Sequence, residues 1–151
     1  MQTNLHVHFN GQCEAAFRFY ERCLGGKTEF VMYYEGSPAA GSVPPDWRDK
    51  VLHARLRVGG QVLMACDAPP TCYETPKGFS VSLQVHDPEE AERIFHELAE
   101  EGQIRMPLQE TFWARRFGLA VDRFGIPWMV NCEKALQNCT QELEETPALA
   151  G

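Results

Sequence analysis

Phe79-Ser80-Val81-Ser82-Leu83-Gln84-Val85, followed by Asp87-Pro88-Glu89-Glu90 and a run that closes on Gly102, is the stretch that decides the fold. Apolar and polar residues alternate over the first seven positions, as on a strand with one buried face. Asp87 then offers an N-cap, Pro88 suits a first helical turn, and Glu89 and Glu90 sit where the helix dipole favours negative charge. The helix predicted there runs to Glu101 and stops at Gly102. The same order stands earlier in the chain. Leu5-His6-Val7-His8-Phe9 alternates and Asn10-Gly11 interrupts it. Glu14 to Leu24 then carries Ala16, Phe17, Tyr20 and Leu24 at three- and four-residue steps before Gly25-Gly26. At a constant offset of 76 residues, Glu14 superposes on Glu90, Ala15 on Ala91, Phe19 on Phe95, Glu21 on Glu97 and Gly26 on Gly102.

The correspondence continues outward. Strands are predicted at Phe30 to Tyr34, Val51 to Val58 and Gln61 to Cys66, and again at Ile104 to Leu108, Phe117 to Asp122 and Pro127 to Asn131. Turns fall at Gly59-Gly60 and Arg123-Phe124-Gly125, and Gly60 and Met64 superpose on Gly125 and Met129 at an offset of 65. Strand-helix-strand-strand-strand twice, with identities at fixed offsets, reads as an internal repeat. The fold class is therefore α+β, with two tandem βαβββ modules forming curved mixed sheets around a trough. One domain is expected over residues 1–134: module one at 4–67, a proline-bearing linker at 68–78 and module two at 79–132. Residues 135–151 read as an acidic tail with a frayed end.

Composition limits the partners. The chain has 151 residues with 14 Lys+Arg against 21 Asp+Glu, a formal net charge of −7, which disfavours nucleic acid. No window approaches the roughly 20 apolar residues that span a bilayer, and the first residues show no secretion signal. A cytoplasmic protein with reduced thiols is expected. Its six cysteines (13, 23, 66, 72, 132 and 139) include no Cys-x-x-Cys pair. Cys66 and Cys132 read as packed thiols.

In a βαβββ unit the apolar set of each first strand (Leu5, Val7, Phe9; Val81, Leu83, Val85) should meet the helices. The opposite faces then present His6, His8, Ser80, Ser82 and Gln84 to the trough, a natural small-molecule pocket. His53, Arg55 and Arg57 alternate with Leu52, Ala54 and Leu56 and so share one strand face. If that face lines the trough, His53 supplies an acid or base and Arg55 an anion contact; otherwise both sit on a solvated outer face. Trp113, beside Phe112 in a polar stretch, is the aromatic candidate for the pocket, whereas Trp128 reads as structural.

Several blocks resemble the PhnB-like family of the vicinal-oxygen-chelate superfamily, which includes glyoxalase I, bleomycin-resistance proteins and extradiol dioxygenases. They are residues 9–20 (Phe9-Asn10-Gly11 through Phe19-Tyr20), Asp49-Lys50-Val51-Leu52-His53-Ala54, Leu63-Met64-Ala65-Cys66-Asp67, residues 106–113 (Met106-Pro107 through Phe112-Trp113) and Asp122-Arg123-Phe124-Gly125-Ile126-Pro127-Trp128. The resemblance implies paired βαβββ modules and a homodimer, but no single reaction, because members do different chemistry and some only bind. Enzymes of the superfamily hold a divalent metal on four strands. Carried over one by one, those positions fall on Asn4 or His6, on Met64, on Ser80 or Ser82, and on Met129. Thioether and hydroxyl are poor ligands for such ions, so no metal is expected at the usual site. His6, His8 and His53 form either a different metal site or polar lining. With no carboxylate of matching placement, lining is the expectation. The family is also associated by name with demethylubiquinone methyltransferases, but no Gly-rich loop opens a helix here as a nucleotide-type cofactor requires.

The expected function is action on a small oxygenated or anionic molecule in the trough. His53 and His6 are the acid/base candidates, and His8, Arg55, Ser82, Gln84 and Trp113 the ligand contacts, with no cofactor assigned. The alternative is a binding protein that sequesters a small molecule.

Overall fold

The computed structural model describes residue 1 and residues 3–134. The acidic tail expected at 135–151 lies outside the described residues. In chain order the elements are β1 (Leu5–Phe9), α1 (Cys13–Leu24), β2 (Lys27–Tyr33), β3 (Val51–Val58) and β4 (Gln61–Asp67), then β5 (Val81–Gln84), α2 (Pro88–Leu98), β6 (Gln103–Gln109), β7 (Ala114–Val121) and β8 (Pro127–Glu133). Two four-stranded sheets result, ordered β1-β4-β3-β2 and β5-β8-β7-β6. In each, the first strand runs parallel to the last and the other neighbours are antiparallel. The repeated βαβββ order read from the sequence is the observed architecture.

Strand ends depart from the alternation pattern where pairing decides. β2 begins at Lys27, three residues early, because Lys27 and Thr28 pair with Arg57 and Leu56. β7 begins at Ala114, which pairs with Glu133. β5 is shorter than expected, since Val81 is the first residue with a ladder partner, Trp128. α2 is capped as predicted, Asp87 accepting from the Glu90 amide at 3.0 Å. It ends at Leu98 rather than Glu101, and the chain turns through Glu101 at a positive φ of 56°.

Two glycines that superpose in the repeat have the same physical task. A Cβ on Gly26 would stand 2.8 Å from the Arg57 carbonyl oxygen, and one on Gly102 would stand 2.3 Å from that of Val121. In each module the chain leaving the helix presses against the third strand, where only glycine fits.

Both helices lay their apolar sides on one continuous core. It holds Val7, Phe9, Phe17, Tyr20, Leu56 and Ala65 from module one, and Ala91, Phe95, Leu98, Ala120, Trp128 and Val130 from module two. Full burial of each large side chain is worth about 1.5–3 kcal/mol, so this shared core dominates the stability. The modules meet through their helix-covered sides. Tyr20 donates its hydroxyl to Asp122 Oδ2 at 2.6 Å, and Trp128 donates Nε1 to the same oxygen at 2.8 Å. The Tyr20 and Trp128 rings lie 5.1 Å apart, those of Phe19 and Phe124 5.6 Å. Trp128 is therefore structural, as its sequence context suggested. Among the described residues no helix is long and apolar enough to cross a membrane.

Candidate functional site

Because side chains alternate along a strand, the sheet faces turned away from the helices carry the polar residues. On the first sheet the ladder arranges them in rows. His6 pairs with Met64, Met64 with Arg55, and Arg55 with Phe30. The neighbouring row sets His8 against Cys66 and His53 against Met32. The imidazoles cluster. The His6 ring centroid is 5.1 Å from that of His8 and 5.7 Å from that of His53, the latter pair stacked at 27°. Cys66 Sγ lies 3.8 Å from His8 Nδ1. Burial, then the charges of His8 and His53, hold the His6 imidazole below the usual histidine range. Burial and the neighbouring Asp67 push the Cys66 thiol up.

The arginines on this face differ. Arg57 is engaged by Glu29, through Nε at 2.6 Å and Nη2 at 3.1 Å. Arg55 Nε is enclosed but has no hydrogen-bond partner among the described residues. A buried donor left unpaired in a folded protein is uncommon. So of the arginines in this strand, Arg55 is the one with a buried donor left unpaired.

A cavity of about 500 Å³ lies between β1 and residues 72–79, lined by His6, Val7, His8, Cys72, Glu74, Thr75, Pro76, Lys77 and Phe79. Half of the linker thus folds over the histidine row, a placement that spacing alone could not reveal.

Ser82 and Gln84 stand on β5, away from this cluster. They line a second cavity of about 630 Å³ between the modules, with Leu5, Leu24, Leu63, Val81 and Trp128 among its walls. Gln84 Oε1 accepts from Asn131 Nδ2 at 2.8 Å. Trp113 stands in the loop before β7, 43% exposed, with its ring 4.6 Å from Phe112 and 5.3 Å from Phe117. Within one chain, therefore, the imidazoles of His6, His8 and His53 cluster, Arg55 shares their sheet face on β3, Ser82 and Gln84 line a different cavity, and Trp113 lines neither cavity. By its sequence context Cys66 reads as a packed thiol, but it is only half-buried. Its place beside His8 follows from the parallel β1–β4 register, which joins residues 58 positions apart.

Of the positions that the resemblance gives for the superfamily's metal, His6 pairs with Met64 and Ser82 with Met129, while the alternatives Asn4 and Ser80 precede β1 and β5. One imidazole, two thioethers and one hydroxyl make a poor set for a hard divalent ion, and these residues do not fit that group.

Comparison with known proteins agrees with this architecture. The model of the Glyoxalase/Bleomycin resistance protein/Dioxygenase superfamily matches residues 5–130. Protein YjdN of Escherichia coli is 35% identical over 144 residues, covering 89% of this chain and 97% of that protein. The crystal structure of protein PA1353 from Pseudomonas aeruginosa is similar at 48% identity and a TM-score of 0.81, covering 89% and 99% of the two chains. A PhnB protein from Bacillus cereus, 24% identical with a TM-score of 0.73 and covering 87% and 99%, shares the fold.

Proposed function

The chain belongs to the glyoxalase/bleomycin resistance/dioxygenase superfamily, and from that premise we propose that it binds a small oxygenated anion on the polar face of its first sheet. The observation that carries this reading is Arg55, whose enclosed Nε has no partner among the described residues while the imidazoles of His6 and His53 stand on the same face. A guanidinium in that position suits a carboxylate, phosphate or phosphonate, because its planar fork matches their paired oxygens. His53 is the acid or base that would move a proton on the bound molecule, with His6 beside it and His8 in the ligand-contacting wall. Ser82, Gln84 and Trp113 contribute only where a second copy brings its second sheet to this face. We accordingly read the protein as a homodimer. Phe30 and Met32, each 42% exposed, and Phe112, 90% exposed, favour such an association. The five free thiols among the described residues suit a reducing compartment such as the cytoplasm. No step runs through the superfamily's usual metal, whose ligand positions are occupied by Met64 and Met129.

A second reading, sequestration without turnover, is favoured by those same thioethers, since the family reactions that depend on the metal would lack it. One experiment separates the readings. Small carboxylates, phosphonates and aromatic antibiotics are screened by thermal shift. A binder at a hundredfold excess over its Kd should raise the Tm by roughly 5–10 °C. Substituting Arg55→Ala or His53→Ala should abolish the shift while circular dichroism stays unchanged. An identical shift in both variants would overturn the site. Consumption of the hit, followed by NMR, indicates an enzyme; its recovery intact indicates a binder. A monomeric mass in light scattering would refute the dimer.

A further inference from the structure

We propose that His6, His8 and Cys66 bind a single zinc ion, with one coordination position left open toward the cavity between β1 and residues 72–79. Three geometric facts carry it. First, strand alternation puts His6 and His8 on one face, and the parallel register puts Cys66 directly across from His8. Second, one ligand atom from each of the three residues lies within 4.8 Å of the others, and the His8 Nδ1 to Cys66 Sγ distance is 3.8 Å. Bond lengths of about 2.0 Å to nitrogen and 2.3 Å to sulfur in a tetrahedral site require the N and S ligands to stand roughly 3.5 Å apart. Small side-chain rotations bring the set to that distance without moving either strand. Third, the cluster is reachable from the cavity: Cys66 is half-buried on β4, while His6 and His8 are exposed and form part of the cavity wall. Three protein ligands plus one free position is the arrangement in which zinc keeps a water or accepts a donor from a small molecule.

Two nitrogens and a thiolate match a borderline-to-soft d10 ion and select against magnesium or calcium, which prefer oxygen donors. Binding converts the Cys66 thiol to a thiolate and releases one proton to solvent. The zinc ion takes one sulfur and two nitrogen electron pairs, and nothing is oxidised or reduced. The site is not the superfamily's usual one. It shares only His6 with the positions carried over from that family, and all three ligands come from one sheet of one chain. Nor does the fold impose it: the equivalent ladder positions of the second sheet hold Ser82, Gln84 and Asn131, with the two amides bonded to each other. The inference stands independently of the anion reading. With the ion in place His6 is a ligand, and the proton-moving role falls to His53 alone.

The test uses the full chain prepared without an affinity tag, stripped with a chelator and titrated with zinc chloride or, as a spectroscopic probe, cobalt(II). One equivalent per chain is expected, and cobalt should give a thiolate charge-transfer band. Substituting Cys66→Ser should remove that band, and His8→Ala should weaken binding by about tenfold or more. His96→Ala, on the outer side of α2, should change neither. Substoichiometric metal, or a band that survives Cys66→Ser, would overturn the site. Should those variants fail to fold, the wild-type protein still decides. Zinc should slow alkylation of Cys66, read peptide by peptide in mass spectrometry, and equal rates with and without zinc would overturn the proposal. Copper(I) supplied without oxygen is the remaining arm: if it protects Cys66 and zinc does not, the choice of zinc is wrong.

Discussion

At equivalent rungs of their ladders the two sheets carry opposite chemistry. His8 faces Cys66 in the first sheet, and Gln84 faces Asn131 in the second. His6 faces Met64, and Ser82 faces Met129. Next along, Met64 pairs with Arg55, whereas Met129 pairs with Leu119. The backbone is the same; the side chains differ in what they can offer. The amide pair of the second sheet is joined directly, Asn131 Nδ2 donating to Gln84 Oε1 at 2.8 Å. The imidazole and thiol of the first stand 3.8 Å apart, a separation better suited to sharing an ion than to a hydrogen bond. The repeat accounts for the fold, while the clustered imidazoles and the thiol stand on one copy of it only.

The modules also differ in how they use a buried aspartate, and this is where the comparison can be tested hardest. Asp122 accepts from the Phe124 and Ile126 amides, the Tyr20 hydroxyl and the Trp128 indole, so it both closes the β7–β8 turn and ties the modules together. Among the described residues Asp67 accepts within its own module, from the Cys13 and Val51 amides, and burial pushes its carboxyl up despite them. Asp122→Ala leaves four donors unpaired and should cost about 4 kcal/mol in urea denaturation. Asp67→Ala leaves two and relieves a buried charge, and should cost about 2 kcal/mol. A larger loss for Asp67→Ala would reverse the assignment of the intermodule joint to Asp122.

The next effect is smaller and depends on pH. Burial and the adjacent Asp122 carboxylate raise the Tyr20 phenol well above its usual value. A phenol whose folded pKa exceeds its unfolded value, about 10, contributes stability that is fully present below pH 10 and lost as pH rises through the folded pKa. Tyr20→Phe should cost about 2 kcal/mol at neutral pH and should remove the part of the alkaline decline that begins above about pH 10. The earlier part belongs to the buried thiols Cys13 and Cys23, whose titration burial also pushes up. An unchanged alkaline decline in denaturation curves taken from pH 8 to 11 would assign that titration to another group.

The smallest energetic effect makes the sharpest chemical distinction. Exchanging the rungs, His8→Gln with Cys66→Asn, should alter stability by about 1 kcal/mol, because His8 is exposed and Cys66 only half-buried, yet abolish cobalt binding. The reverse graft, Ser82→His, Gln84→His and Asn131→Cys, should add a second cobalt equivalent. A graft that folds but binds nothing would show that β1 and its linker cover, rather than the rung geometry, make the site.

Much of this molecule was legible in its residues. Alternation at Leu5 to Phe9 and at Phe79 to Val85, the helical spacing of Phe17 and Tyr20, and the paired Gly26 and Gly102 all follow from local rules, and each found its element. Alternation likewise placed His6 beside His8 and His53 beside Arg55. The gap at the site came from Cys66, which looks inert in an apolar strand until the parallel β1–β4 register sets it opposite His8. It also came from the linker, whose prolines announced a connection and nothing of where it would lie.

The division has a physical cause. Period-two and period-3.6 patterns, turn residues and caps act over a few neighbours, so the chain by itself determined the two βαβββ modules and which side chains share a strand face. Strand register across 58 residues, the cover that residues 72–79 give the histidines, and the assignment of Ser82 and Gln84 to another cavity arise from how a shared helical core seats both sheets. Those choices are made by packing over long sequence distances, and only the tertiary structure decided them.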